Sequence, residues 1–285
     1  MKRAVSILIL AALCANVSAQ SVPFLLRNTD VRANAMAAVG AENLAAGDAL
    51  SGKTFDAGAS YSCIAPGSIA TSLIGLGGYG NIGNVSVGLY GRYNIGKEYE
   101  LFNDRAMSMG MFKPTELAIG ASVAYVFAEK FAVGARASII SSKMSSTAIG
   151  SALGIDISAA YSANGLTAEL AARNLGPKIK YGEYSYNLPS MAGAAVSYGI
   201  GGFCARAEAD YLFAGSFMAG VGVEYTFVKI VSLRAGFHYG DDNYVPMYAS
   251  AGLGVQFMGL KLDFTYLPPI GKSRGAFMGG LGYSF

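Results

Sequence analysis

His238 is the only histidine of the chain, and Asp241 and Asp242 follow it within one turn of sequence. A histidine beside a carboxylate can serve as a general base for a neighbouring serine. No G-x-S-x-G element or metal-ligand spacing accompanies it, and the local pattern brings no particular serine into reach. His238 therefore reads as a polar interior residue, and the chain as a non-enzyme without a cofactor. Asp241-Asp242-Asn243 is also a cation-ligand set by type, but three turn-forming residues need no metal and none is assigned. Once the first nineteen residues are set aside, Cys63 and Cys204 are the remaining cysteines. One disulfide can be drawn between them, but two separate thiols are the favoured reading.

The larger group of chemistry-bearing side chains is balanced in sign. Arg136, Arg173, Arg206, Arg234 and Lys261 alternate with apolar or small residues, and so do Glu169, Glu208, Asp210, Glu224 and Asp263. All ten fall on the polar face of their segments. A selective pore needs an excess of one sign to set a field across its water. Balanced charges instead suggest ion pairs that fill and brace an interior, and the ten are expected to form such a network.

The elements that carry these residues have a period of two. In Phe131-Ala132-Val133-Gly134-Ala135-Arg136-Ala137-Ser138-Ile139 every odd position is apolar, and 203–211 and 231–239 repeat the pattern. Such segments are half-buried strands with one face toward lipid. The chain is 53% hydrophobic and 14% charged, with a mean hydropathy of +0.38. Its apolar residues are nevertheless dispersed, without the run of about 18 that a membrane helix requires. An exported apolar chain of that kind has one spanning solution, a closed barrel that pairs every backbone amide. Counting back from Phe285 gives about fourteen strands, an even number that returns both termini to one side. Short turns at 128–130, 163–165, 200–202, 228–230 and 258 alternate with longer connectors at 95–116, 144–151, 175–189, 240–247 and 267–274, and the short connector at 213–215 breaks that alternation.

The domain reading follows. Lys2 and Arg3, the apolar stretch Ala4 to Ala15 and Val17-Ser18-Ala19 make residues 1–19 a cleavable signal peptide. Residues 20–54 lack the strand pattern and read as short helix and coil, a hatch in the lumen or a periplasmic tail. Residues 55–285 form the barrel, located in the bacterial outer membrane and in contact with its lipid. Removing Lys2 and Arg3 lowers the net charge from +3 to +1, which provides no basic field for nucleic acid. The connector after Asn174-Leu175-Gly176-Pro177 carries Lys178, Lys180, Tyr181, Tyr184 and Tyr186, and a second outer connector carries Tyr244. Large, stiff tyrosines with polar tips suit partner recognition and equally suit an interfacial girdle. Tyr283 and the terminal Phe285 read as the strand end that closes and assembles the barrel.

Four stretches carry a resemblance. Asp30-Val31-Arg32-Ala33-Asn34-Ala35-Met36, Arg173 to Ile179 with Leu188-Pro189, Gly240 to Tyr244 with Tyr248 to Gly254, and Leu281 to Phe285 resemble the PorV/PorQ family of Bacteroidetes outer-membrane proteins. These are FadL-like barrels linked to the type IX secretion system. The chain departs from the family pattern in having no tryptophan, so the usual W-N-P-A-like element is replaced by Ser60 to Gly67. The resemblance implies a fourteen-stranded barrel that binds secretion-system subunits or exported cargo proteins at its outer loops. The other function carried by the residues is a FadL-like channel for small hydrophobic molecules, gated by the N-terminal segment. An apolar, continuous lumen would favour transport, and a lumen plugged by ion pairs beneath aromatic loops would favour partner binding.

Overall fold

In the computed structural model the described residues are 22–38, 44–64, 71–102 and 105–285. The signal segment 1–19 lies outside them. The strands in chain order are β1 (Phe55–Ile64), β2 (Thr71–Ile82), β3 (Val85–Ile95), β4 (Tyr99–Phe102), β5 (Ser108–Phe112), β6 (Thr115–Phe127), β7 (Phe131–Lys143), β8 (Ile149–Ala163) and β9 (Leu166–Leu175). They continue as β10 (Ile179–Tyr181), β11 (Tyr184–Tyr186), β12 (Met191–Ile200), β13 (Phe203–Leu212), β14 (Ser216–Phe227), β15 (Val231–Tyr239), β16 (Tyr248–Phe257), β17 (Leu260–Leu267) and β18 (Ala276–Ser284). Fourteen of them close an antiparallel barrel in which β1 pairs with both β2 and β18. The pairs β4–β5 and β10–β11 are small hairpins within the long connectors, and the alternation pattern did not anticipate them as strands. The closed ladder satisfies the backbone inside hydrocarbon, and among the described residues no helix is long and apolar enough to cross a membrane.

Pleating separates two environments. Along β7, Val133, Ala135 and Ile139 face out, whereas Ala132, Arg136 and Ile140 are buried inside. The outer face is apolar around the circumference, with Leu89, Ile119, Leu170, Val221 and Leu262 exposed. Near the short turns aromatic rings gather into a girdle: Phe127 stacks on Phe131, Phe131 tilts against Tyr161, and Phe55 stacks on Phe285. Several of those turns place non-glycine residues at positive φ, including Ala128 with Glu129 and Val228 with Lys229. Left-handed turn residues suit the right-handed twist of the flanking strands. The long ladders on either side hold it, because β6 and β7 pair from Phe127↔Phe131 to Thr115↔Lys143.

The N-terminal segment lies inside the barrel. A 3-10 turn at Pro23–Leu26 is followed by α1 (Val31–Ala35) and α2 (Ala45–Ala49). Asp30 caps α1 by accepting the Ala33 N–H, and Ala37 at φ 56° ends it, so that the Ala38 N–H returns to Ala33 O. A five-residue helix does not hold itself together in water. Here the wall holds it: Ser250 Oγ donates to Ala35 O and Thr265 Oγ1 donates to Val31 O. Close approach depends on glycine. A Cβ at Gly220 would stand 2.0 Å from Ala37 O, and one at Gly222 2.3 Å from Met36 O. On the opposite wall, α2 packs its alanines against Ala132 and Ala160, and Ser158 Oγ accepts the Ala46 N–H.

Candidate functional site

The lumen has two tiers. At the end that bears the long connectors, Phe24 and Leu25 of the 3-10 turn are buried against Leu73, Ala118 and Ile140 of the wall and Ile179, Tyr181 and Leu188 of the connector between β9 and β12. Leu26 reaches a neighbouring apolar group of Met191, Leu212 and Met218. Together these form an apolar chamber that is filled by the chain's own side chains. The connector folds over it because β9 bulges at Asn174, whose φ is 54°. Asn174 is held there by its N–H to Asp156 Oδ1 at 2.8 Å and by its side-chain amide to Pro189 O at 3.0 Å.

Below the chamber the lumen is polar. A cavity of about 630 Å³ lies between the hatch and the wall and reaches the short-turn end at Thr226, Lys229 and Gln256. Ion pairs cross it. Arg32 of α1 forks onto Glu224 through Nε at 2.9 Å and Nη2 at 2.8 Å. Arg234 bonds the same carboxylate at 2.5 Å and Asp263 at 2.5 Å. Lys261 reaches Asp56 at 2.5 Å, and Lys53 bonds the same oxygen. On the other side Arg136 lies 3.8 Å over the Tyr90 ring and 3.9 Å from Asp156, while the Tyr90 hydroxyl donates to Asp48 of α2. Burial pushes the Asp48 carboxyl up to about 6, against the downward pull of Tyr90 and Arg136. Hatch and wall are thus joined by charge-assisted bonds at three places.

The ten charged positions read from alternation all face inward. Arg206 and Glu208 bond at 2.5 Å with Asp210 buried beside them, while Glu169 and Arg173 line the cavity. Arg92, Glu116 and Asp156 obey the same alternation and belong with them. Arg32, Lys53 and Asp48 come from a segment with no period, so their role was visible only after folding.

The loop residues divide. Lys178, Lys180 and Tyr184 are exposed, Tyr184 at 70%, whereas Tyr181 is buried in the chamber. Tyr186 packs on the chamber, and Tyr244 packs on the Leu26 group. His238 is wholly buried, with its ring stacked on Tyr248 at 4.6 Å. Neither ring nitrogen has a hydroxyl or carboxylate hydrogen-bonded to it among the described residues. Asp241 bonds Asn243 and Asp242 pairs with Lys272 at 2.9 Å. No cluster of metal-ligating side chains occurs among the described residues, and Cys63 and Cys204 are not joined to each other. At the seam the Phe285 N–H bonds Phe55 O, while Phe285 O accepts from the Thr54 and Phe55 N–H groups. Tyr283 leans on the Phe285 ring.

Fold and interior together define a membrane-spanning β-barrel of the FadL-like, fourteen-stranded type, with part of its N-terminal segment packed inside the lumen. This is an architecture of bacterial outer-membrane proteins. The toluene transporter TbuX of Ralstonia pickettii superposes with a TM-score of 0.68 at 11% identity over 92% of this chain and 100% of that one. The toluene transporter TodX of P. putida gives 0.66 at 8% identity over 91% and 98%. A Pseudomonas aeruginosa FadL homologue gives 0.53 at 12% over 92% and 95%. No family model matches the chain, and no curated protein sequence does.

Proposed function

We propose that the protein is an outer-membrane channel for small hydrophobic molecules, gated by its N-terminal hatch. The observation that carries this reading is the apolar chamber at the loop end, occupied by Phe24 and Leu25 with 2% and 3% of their surface exposed. Burying such side chains contributes roughly 1.5 to 3 kcal/mol each. A hydrophobic ligand that took their place would regain a comparable amount, so the exchange is close to neutral within the chamber and the polar bonds below it set the balance. The fold shared with toluene transporters supports the same reading. The lumen is neither a continuous apolar pore nor a uniform ion-paired plug, because an apolar tier stands above a polar one. The chamber holds the ligand, and the ion pairs below hold the hatch.

The partner-binding role suggested by the PorV/PorQ resemblance has less support. It relied on an outward-facing tyrosine loop, and Tyr181 and Tyr186 turn inward onto the chamber.

The gate can be locked. A Cβ built at Gly280 lies 3.4 Å from Val31 Cβ, near the roughly 3.5 to 4.5 Å spacing of a disulfide. In a background with Cys63→Ser and Cys204→Ser, the pair Val31→Cys and Gly280→Cys should tie α1 to β18. Toluene uptake by cells bearing the oxidised variant should fall to the level of cells without the barrel and recover on reduction. Equal uptake by the oxidised and reduced forms would mean that the hatch is not the gate.

A further inference from the structure

Three lysines stand together on the outer face of the barrel, at the end that bears the long connectors. Odd positions face out along β3, β6 and β7, and Lys143 ends that row on β7. It lies across from Thr115, which lies across from Ile95. Lys113 and Lys97 stand two residues beyond Thr115 and Ile95, and the Gly96 N–H bond to Pro114 O carries the pairing out to them. All three lysines are exposed. Neighbouring strands lie about 4.8 Å apart, so the three span roughly 10 Å of the rim. On β1, β14, β15 and β18 the same rim is aromatic, with Tyr61, Phe217, Tyr239 and Phe277 exposed. Among the described residues no carboxylate pairs with any of the three lysines, and Glu98 and Glu100 take even positions of the connector. Lys143 Nζ instead sits 5.9 Å from the centre of the Phe112 ring, which meets Tyr99 edge-on.

Depth decides what such a cluster meets. From Phe131, in the girdle of the short-turn end, to Lys143, strand β7 rises roughly 30 Å at a tilt of about 40°. The apolar band of a spanning barrel is about 25 Å tall. Lys143 and its two neighbours therefore stand just beyond the hydrocarbon, at the level of the outer headgroups, above a lipid-facing surface of Leu117, Ile119 and Ile139. Lysines at that depth find their counter-charge in lipid phosphates. A row of three across the ends of adjacent strands fits a broad headgroup that bears more than one phosphate. Tyr99, 40% exposed beside them, offers ring surface to a sugar, and its hydroxyl is already donated to Met144 O. We propose that this patch binds a phosphorylated glycolipid of the outer leaflet. Its phosphates bond Lys97, Lys113 and Lys143, its sugar lies against the Tyr99 ring, and its acyl chains run down the apolar faces of β6 and β7. The site is on the lipid side of the wall, apart from the lumen. It rests on the spanning barrel and is independent of what the channel carries.

The test is native mass spectrometry of the mature barrel in detergent, titrated with bisphosphorylated lipid A, with the same lipid A stripped of its phosphates, or with dioleoylphosphatidylglycerol. Wild type should bind the bisphosphorylated form about tenfold more tightly than the phosphate-free form, and more tightly than the phospholipid. Lys97→Ala, Lys113→Ala and Lys143→Ala combined should lose about tenfold in affinity for bisphosphorylated lipid A, whereas the corresponding three Arg substitutions should keep it. A control with Lys130→Ala, Lys272→Ala and Arg274→Ala removes as much charge elsewhere and should stay within about twofold of wild type. The heat-modifiable band on a gel shows that each variant is folded. Equal binding of the phosphorylated and phosphate-free forms by wild type would overturn the proposal. So would a loss in the Lys97, Lys113 and Lys143 variant no greater than in the control. Binding of the phospholipid as tightly as lipid A would overturn the glycolipid assignment and leave the lysines as a general anchor for anionic headgroups.

Discussion

Arg206 and Glu208 sit two positions apart on β13, with side chains 2% and 0% exposed, and Asp210 continues the same buried row. Removing one member of such a pair leaves a buried charge without compensation, typically worth 3 to 5 kcal/mol. Arg206→Glu goes further, setting three acids in line. It should lower the thermal unfolding midpoint in detergent markedly while changing single-channel conductance little. The opposite ranking would mean that the row acts as a pore filter. Asp48 makes a second residue-scale prediction. Its carboxyl ionises near 6 in the docked hatch and near its ordinary 3.8 when released. Between those values the docked form holds a proton that the released form gives up, so docking weakens as pH rises and carries the full penalty above about pH 6, up to about 3 kcal/mol. Asp48→Asn keeps an acceptor for Tyr90 and removes the charge. It should raise the midpoint at pH 7.5 and leave it nearly unchanged at pH 4, and a variant with the wild-type pH slope would show that Asp48 is not the group responsible.

At the scale of elements, the hatch is held by fit as much as by charge. Its first helix leans on glycines of β14, β15 and β16, where Gly222 and Gly236 are register partners. Gly222→Val would drive a side chain into the Met36 backbone without disturbing the ladder, since strand geometry accepts valine readily. The barrel should still form, seen as a heat-modifiable band on a gel. The hatch, however, should be released, seen as rapid trypsin cleavage at Arg32 in place of protection. Gly279→Val, where an added Cβ meets nothing within 4 Å, is the matched control. The spanning strands were legible before folding because lipid on one side and side chains on the other impose a residue-by-residue alternation. The hairpins β4–β5 and β10–β11 were not, because above the membrane nothing imposes a period. For the same reason Tyr181 and Tyr184, three residues apart in one connector, could not be assigned to opposite environments from sequence.

For the whole molecule, closure is the decisive event. β1 and β18 pair along nine residues from Asp56↔Ser284 to Ile64↔Ala276, and Phe285 finishes the seam by stacking on Phe55 at 5.5 Å. Phe285→Ser should reduce the folded fraction recovered from the outer membrane several-fold, and an undiminished yield would show that the terminal ring is dispensable for assembly. Period-two alternation by itself determined the barrel, its fourteen strands, their inward and outward faces and the ten charges in the lumen. Each of those follows from a local pattern that lipid contact enforces at every second residue. Tertiary structure alone decided where the N-terminal segment goes, which charges pair and that an apolar chamber exists. Arg32 meets Glu224 across 192 residues of chain, and Phe24 joins one apolar cluster with Leu188 of a distant connector. Contacts at such separations leave no periodic trace, because their partners are chosen by the closed barrel and not by neighbours in sequence.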